Sequence, residues 1–202
     1  MKECIFHLET LKVPFPAADP FTLFSRIGNG FGCILESVEG VPRRAVRSIV
    51  GFEPPVVFTL GKNATCTGDP AIRERLSIPP TDNPVTQLRA ICRQIRCRGD
   101  SRTGFTGGLV GYLSYDAVTA LSGGRVQAGE DGHPARFMLC TRGVVYDHVH
   151  ETCILFDNSL VTGDEERGNV KEEAINRLCR LRGAVAAVPP AKRKERIQSS
   201  KR

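Results

Sequence analysis

The chain has 202 residues, enough for one sizeable hydrophobic core, and its 41% hydrophobic and 25% charged residues are ordinary for a globular protein. No apolar run approaches the roughly 18 residues that a membrane span requires. Met1-Lys2-Glu3-Cys4 is not followed by the apolar segment of a signal peptide. We therefore expect a cytoplasmic protein without membrane association.

The net charge of +6 is concentrated at the carboxyl end of the chain. Residues 189–202 contain six Lys or Arg and one Glu, so five of the six excess positive charges belong to this segment. The segment begins with Pro189-Pro190 and lacks the interleaved aromatic residues typical of single-stranded nucleic-acid binders. We interpret it as a basic, linker-like tail rather than a nucleic-acid interface. The folded domain is predicted over 1–188.

The first half of the chain predicts short strands and two helices. A strand over 5–13 ends at Pro14, and Asp19-Pro20 predicts a helix start with an N-cap followed by Pro at N1. This first helix has Phe21, Phe24 and Ile27 at helical spacing. Extended runs follow at 32–37, 47–52 and 56–60. A second helix is expected from Asn83-Pro84 to about Arg98, with a buried stripe of Val85, Leu88, Ile91 and Ile95.

The second half predicts successive strands and one last helix. The strands are expected at 107–116, 136–140, 143–150 and 152–157, and the helix at 164–188, with Val170, Ala174, Leu178 and Leu181 on one face. The strands come in runs with short connections rather than alternating with helices, which favours antiparallel pairing. The fold class predicted is α+β, with a largely antiparallel, sandwich-like β-sheet and flanking helices.

Two glycine-rich segments could suggest nucleotide loops, but their context favours other roles. In Gly28-Asn29-Gly30-Phe31-Gly32 the glycines follow a helix and precede a strand, the reverse of a dinucleotide-binding loop, so we interpret them as a helix stop and a turn. Gly107, Gly108 and Gly111 lack the Lys-Ser/Thr pair of a phosphate loop. Glycine there is expected to permit close packing of backbones.

Histidines and cysteines offer little metal chemistry. His148 and His150 at spacing i, i+2 would share one strand face and could form half a metal site, but no third ligand of suitable spacing is visible, so a structural role is favoured. None of the eight cysteines forms a Cys-x-x-Cys pair, and several lie in apolar stretches. They are expected to be buried thiols without metal or disulfide.

Four segments, in this order, resemble the amino-terminal domain of anthranilate synthase component I. The third, Phe105 to Asp116, reads Phe-Thr-Gly-Gly-Leu-Val-Gly-Tyr-Leu-Ser-Tyr-Asp and is specific. The second departs from the family pattern, with Arg47 where an aromatic residue is usual and Val46 where an arginine is usual. The resemblance covers about residues 5–188. The other segments are Ile34-Leu35-Glu36-Ser37, Ser48 to Pro54, and Arg136 to Leu139 with Val144 to His148.

In this family the domain packs against a larger chorismate-binding domain that carries the magnesium ligands and the catalytic residues. Residues 195–200 look like the linker where that domain would begin, so the resemblance implies the amino-terminal regulatory and structural part of a split or truncated component I. The whole enzyme is a lyase of tryptophan biosynthesis that converts chorismate, with glutamine or ammonia, to anthranilate and pyruvate. We expect this chain alone to be inactive and to hold no cofactor. Its expected partners are the catalytic half and the glutamine amidotransferase component II.

The resemblance also implies a feedback site for tryptophan. Ser37, with Glu36 and Leu35, would contact the inhibitor. From the residues alone, Glu36 and Ser37 could instead end a strand and close a turn. Two alternatives to the function remain: the same domain of aminodeoxychorismate synthase component I, or a stand-alone tryptophan-binding or scaffold module without enzyme activity.

Overall fold

Two β-sheets and four helices make up the described part of the computed structural model, which comprises residues 3–36, 46–99, 104–115, 117, 134–162 and 167–190. The strands are β1 (Cys4–Pro14), β2 (Gly32–Leu35), β3 (Arg47–Phe52), β4 (Val56–Leu60), β5 (Thr65–Gly68), β6 (Ile95–Arg98), β7 (Gly108–Leu113), β8 (Ala135–Cys140), β9 (Arg142–Asp147) and β10 (Thr152–Leu160). The helices are α1 (Pro20–Ile27), α2 (Pro70–Arg73), α3 (Pro84–Gln94) and α4 (Arg167–Ala187).

The strands form a six-stranded sheet in the order β2-β3-β9-β10-β1-β6 and a four-stranded sheet in the order β5-β4-β8-β7. Every neighbouring pair is antiparallel except β1 and β6, which are parallel. The predicted α+β fold with largely antiparallel sheets and flanking helices is confirmed.

The six-stranded sheet is buried on both faces, and strand alternation divides its side chains between two cores. On one face Val50, Phe52 and Tyr146 pack with Leu178 and Leu181 of α4, and with α1. On the other face Val145 and Phe156 pack with residues of the four-stranded sheet, among them Cys140 and Met138. We call the side of the six-stranded sheet that packs on α1 and α4 the helix face, and the side that packs on the four-stranded sheet the sheet face. The contact between the two sheets at the sheet face makes the fold sandwich-like.

The helix starts follow the predicted capping. Asp19 Oδ1 accepts the backbone N–H of Thr22 at 2.9 Å before Pro20 at the start of α1. Asn83 Oδ1 accepts the backbone N–H groups of Val85 and Thr86, both at 3.0 Å, at the start of α3. In each case a short polar side chain satisfies backbone donors that the first turn leaves free.

Helix α3 differs from its prediction in length and in its buried positions. It ends at Gln94, and Ile95–Arg98 form β6 alongside β1 instead of a last helical turn. Its buried residues are Pro84, Gln87, Ile91 and Gln94 rather than the predicted apolar stripe, of which Ile91 alone is fully buried. The two glutamines are buried because their amides bond backbone groups of the preceding loop.

Two further bounds differ slightly from expectation. Strand β9 ends at Asp147, and residues 148–151 form a turn, so His148 and His150 do not share a strand face as predicted. The last helix is described from Arg167, and it buries Ala174, Leu178 and Leu181 as predicted. No described helix combines the length and the apolar character that a membrane span needs.

Candidate functional site

A polar cluster lies at the end of the six-stranded sheet where β2 and β9 end and β3 begins. Pairing of Leu35 with Ile49 brings Glu36, the residue after β2, next to Ser48. Pairing of Arg47 with Asp147, extended by the bond from the His148 backbone N–H to Val46 O at 3.0 Å, brings His148 to the other side of Ser48. Three neighbouring strands thus converge on Ser48.

Ser48 joins Glu36 and His148 through hydrogen bonds. Its hydroxyl donates to Glu36 Oε1 at 3.4 Å, and His148 Nε2 lies 2.7 Å from Ser48 Oγ. A serine hydroxyl has one proton, so when it donates to Glu36 the imidazole N–H donates to Ser48, and the opposite tautomer reverses the bond between Ser48 and His148. Ser48 is buried, His148 is half-buried and Glu36 is exposed. The cluster therefore leads from the interior to a carboxylate at the surface.

Aromatic rings surround the inner end of this cluster. The His148 ring stacks on Tyr146 with centroids 6.2 Å apart, and the Phe15 ring lies 5.7 Å from His148 and edge-on to Tyr146 at 5.4 Å. Tyr146 is fully buried, donates its hydroxyl to Ala18 O at 3.2 Å, and has a pKa raised by burial. Tyr146 thus supports the ring of His148 from the interior, and Phe15 is 38% exposed.

The adjacent turn is held by Asp147. Its Oδ1 accepts the backbone N–H groups of Val149 at 3.1 Å and His150 at 3.0 Å, and its Oδ2 lies 3.0 Å from His150 Nδ1. The backbone N–H and then the ring of His150 lower the pKa of Asp147. These bonds give Asp147 and His150 a structural role. Within the described residues, no group of three or more His, Cys, Asp or Glu could hold a metal ion.

The serine and histidine do not form a nucleophilic pair. A nucleophilic serine donates its proton to the histidine base, and an acid orients that base from its other nitrogen. Here Glu36 contacts the serine instead, and Ser48 is almost completely buried. The arrangement is suited to holding the Glu36 carboxylate in place rather than to bond cleavage.

Exposed apolar side chains also occur at this end of the sheet. Four of them, which we call the end surface, belong to residues at or beside the strand ends here: Phe15, Leu35, Val46 and Val149. Leu35 is 41% and Val149 64% exposed, large fractions for side chains of this kind. An end of a sheet that exposes both a carboxylate and apolar side chains can bind a ligand or partner that has both a cationic and an apolar part.

Of the three residues predicted for a tryptophan site, the structure places Leu35 and Glu36 at this end of the sheet, and Ser37 lies outside the described residues. Sequence reasoning did not assign Ser48, His148 or Phe15 to this site, and it considered His148 only as a possible metal ligand. Ser48 and His148 both occur in segments that carry the family resemblance, but they are 100 positions apart. Only the pairing of β3 with β9 connects them.

Comparisons with known proteins identify relatives by sequence. No family model matches the chain. Anthranilate synthase component 1 of Acetivibrio thermocellus is 31% identical over 175 residues, covering 84% of this chain and 34% of that protein. Anthranilate synthase component 1 of Methanothermobacter marburgensis is 30% identical over 137 residues, covering 67% of this chain and 28% of that protein. The crystal structure of anthranilate synthase component I from Streptococcus pneumoniae TIGR4 is similar with a TM-score of 0.45 at 18% identity, covering 84% of this chain and 36% of that one.

The chain spans about a third of the length of the curated relatives that it matches.

Proposed function

Since this chain is homologous to about a third of anthranilate synthase component I, we propose that it is the amino-terminal regulatory and structural part of that enzyme. In this role it assembles with a chorismate-binding catalytic half, which binds magnesium, and with the glutamine amidotransferase component II. The assembled enzyme forms anthranilate and pyruvate from chorismate. Tryptophan, the end product, inhibits it by binding at Leu35, Glu36 and Ser37.

The observation that carries the tryptophan proposal is the position of the Glu36 carboxylate. Ser48 engages Oε1, and among the described residues Oε2 has no recorded partner, so one oxygen remains to accept from the ammonium group of an amino acid. In this proposal the indole ring contacts exposed apolar side chains of the end surface, at the same end of the sheet. Burying an indole there removes apolar area of both partners from water.

The same surface supports the proposal of a catalytic partner half. Leu35, Val46 and Val149 are exposed at one end of the sheet, where a second domain could cover them. A partner seated there would close the tryptophan site from the other side. Tryptophan binding would then change how the two halves fit, which explains inhibition without contact to the reacting atoms.

The test is tryptophan inhibition of the assembled enzyme, measured by anthranilate fluorescence with chorismate, magnesium and either glutamine or ammonia. Ser37→Ala removes one hydrogen bond to a charged ligand, worth roughly 1.5–3 kcal/mol. That corresponds to a rise of about ten- to a hundredfold in the inhibition constant. Glu36→Gln should raise it similarly, because it replaces the charge that attracts the ammonium group.

Matched controls are Ser25→Ala on α1 and Glu172→Gln on α4, which make the same chemical changes at exposed positions remote from the site. Both controls should keep the inhibition constant of the unmodified enzyme. Activity without tryptophan should be similar in all four variants. Full tryptophan sensitivity of Ser37→Ala and Glu36→Gln, with only a lower melting temperature, would instead assign these residues to a turn. Failure to form anthranilate with any catalytic half would reject the proposed enzyme.

A further inference from the structure

Two cysteines from different sheets meet over one glycine on the sheet face. Cys33 of β2 pairs directly with Gly51 of β3, and Cys140 at the end of β8 lies above the same glycine. A Cβ placed on Gly51 would lie 2.5 Å from Cys140 Sγ and 2.7 Å from Cys33 Sγ. Both sulfur atoms therefore lie within 2.7 Å of one point, in space that any other residue at position 51 would fill.

The two thiols have opposite acid–base tendencies. The neighbouring Cys140 side chain, followed by the Gly51 backbone N–H, lowers the pKa of Cys33 despite its burial. The neighbouring Cys33 side chain and burial raise the pKa of Cys140, whose thiol donates to Arg142 O at 3.8 Å. Cys33 is therefore the more acidic of the two thiols and the one that forms the attacking thiolate more readily.

Both thiols are largely buried, and a cavity lies beside one of them. Cys33 is 9% and Cys140 2% exposed. Cys140 lines a cavity of about 210 Å³ at the junction of the two sheets, where the rest of the lining includes Gly107, Gly108 and Asn158. Gly108 has open space where a side chain would be. A hydroperoxide is small enough to occupy this cavity on the Cys140 side of the pair, and Cys33 keeps the larger exposed fraction of the two thiols.

We propose that Cys33 and Cys140 are a site of oxidative modification, at which a hydroperoxide converts two free thiols into one disulfide that joins the two sheets. The Cys33 thiolate attacks the peroxide, forming an S–O bond and breaking the O–O bond, so that Cys33 becomes a sulfenic acid. The other peroxide oxygen leaves as hydroxide (or as alkoxide from an organic hydroperoxide) and takes a proton from solvent to become water (or an alcohol). The Cys140 sulfur then attacks the Cys33 sulfur, forming the S–S bond, and the Cys33 oxygen leaves as a second water with the Cys140 proton. Two thiols are oxidised and the peroxide is reduced.

One other cysteine could compete for Cys140. Cys97 lines the same cavity, and its thiol donates to Asn158 Oδ1 at 3.1 Å. Burial raises the pKa of Cys97, so it supplies less thiolate than Cys33 at neutral pH. It also bonds Asn158 rather than a sulfur. The geometry therefore favours Cys33 as the partner of Cys140.

The experiment treats the native chain with a small excess of hydrogen peroxide and maps cysteine oxidation by mass spectrometry of non-reduced peptides. We expect a loss of two hydrogens and a peptide linked through Cys33 and Cys140, reversed by a dithiol reductant. In Cys140→Ser this link should disappear, and Cys33 should instead react with a sulfenic-acid probe. Cys179→Ser, which removes an exposed thiol on α4, should leave the link unchanged.

Peptide mapping of the unmodified chain decides the proposal even if a variant does not fold. A link between Cys97 and Cys140, no link at all, or oxidation of Cys33 to the sulfinic acid as fast in the unmodified chain as in Cys140→Ser would overturn it. The rate of linking should rise with pH through a midpoint below the ordinary thiol pKa of about 8.5, because the Cys33 thiolate forms more readily than that of a free cysteine. A midpoint at or above the ordinary value would contradict the assignment of Cys33 as the attacking sulfur.

Discussion

The buried amide of Gln87 offers a sharp test of how α3 is attached to the fold. Gln87 is 1% exposed, and its Oε1 accepts the backbone N–H of Gly61 at 2.7 Å. Its Nε2 donates to Gly61 O at 3.1 Å and also to Thr81 O. Gly61 is itself buried, so water cannot replace these bonds without opening the loop. One side chain thus satisfies backbone groups on two loops.

Gln87→Leu keeps side-chain size and helix propensity but leaves both buried groups of Gly61 without a partner. Each such group costs about 1–3 kcal/mol, so unfolding should become easier by about 2–6 kcal/mol. For a domain of this size that lowers the melting temperature by about 10 °C. Calorimetry or urea unfolding measures the loss.

The matched control is Arg89→Leu, which introduces the same side chain on the exposed face of the same helix. Its effect should stay within about 0.5 kcal/mol, as for ordinary surface substitutions. If Gln87→Leu is as stable as Arg89→Leu, the three hydrogen bonds do not hold α3 to the loops and the reasoning fails.

Three further predictions concern other parts of the chain. Asp157→Ala should lower the free energy of unfolding in urea by about 3 kcal/mol, because it removes the buried carboxylate that accepts from Arg177 Nε at 3.0 Å and forms an ion pair with Arg142 at 3.4 Å. Exposed Glu173→Ala should lower it by less than about 0.5 kcal/mol, and equal losses in the two variants would contradict the importance of burial. The bonds from His150 hold the pKa of Asp147 in the folded protein below the ordinary value of 3.8. The contribution of the Asp147 carboxylate to the free energy of unfolding is therefore complete above pH 3.8 and is lost as the pH falls through the lower folded-state pKa. The difference in free energy of unfolding between the unmodified chain and Asp147→Asn should therefore become smaller below about pH 4. A difference that grows below about pH 4 would contradict the lowered pKa of Asp147. The 202-residue chain purified alone should form no anthranilate from chorismate. Anthranilate fluorescence that appears when the chain is mixed with chorismate, magnesium and ammonia would contradict this prediction.

Local sequence signals predicted most of the fold because they are short-range. Asp19 and Asn83 each precede a proline, and both cap helices as the pattern indicates. Apolar spacing in the last helix placed Ala174, Leu178 and Leu181 correctly. These elements depend on residues within a few positions of one another, and no long-range pairing is needed to recognise them.

The errors occur where long-range contacts decide the structure. Counting apolar residues missed Gln87 and Gln94, since a polar side chain is buried only when partners elsewhere satisfy it. The end of α3 was placed too late because pairing with β1 converts Ile95–Arg98 to a strand, and nothing local indicates β6. Pairing with β1 therefore outweighs the local preference of these residues for a helix.

The candidate site shows the same division. The motif around Leu35 and Glu36 could be recognised from sequence, but the support of Glu36 by Ser48 and His148 could not. That support depends on the strand order β2-β3-β9, which joins segments far apart in the chain. The pairing of Cys33 with Cys140 was hidden for the same reason, because the two cysteines belong to different sheets.

Strand β2 connects the ligand proposal to the oxidation proposal. It is a four-residue strand at the edge of the six-stranded sheet, with β3 as its neighbour, so few backbone bonds hold it. Because side chains alternate, Cys33 points to the sheet face, whereas Glu36 meets Ser48, which lies on the same side of β3 as Val50 and the helices. A disulfide at Cys33 would fix β2 from the sheet face without contacting the Glu36 carboxylate. A ligand bound to Glu36 would stabilise the end of the same strand. On both proposals, an oxidant and tryptophan act on β2 from opposite faces of the sheet. Each should therefore stabilise the pairing of β2 with β3.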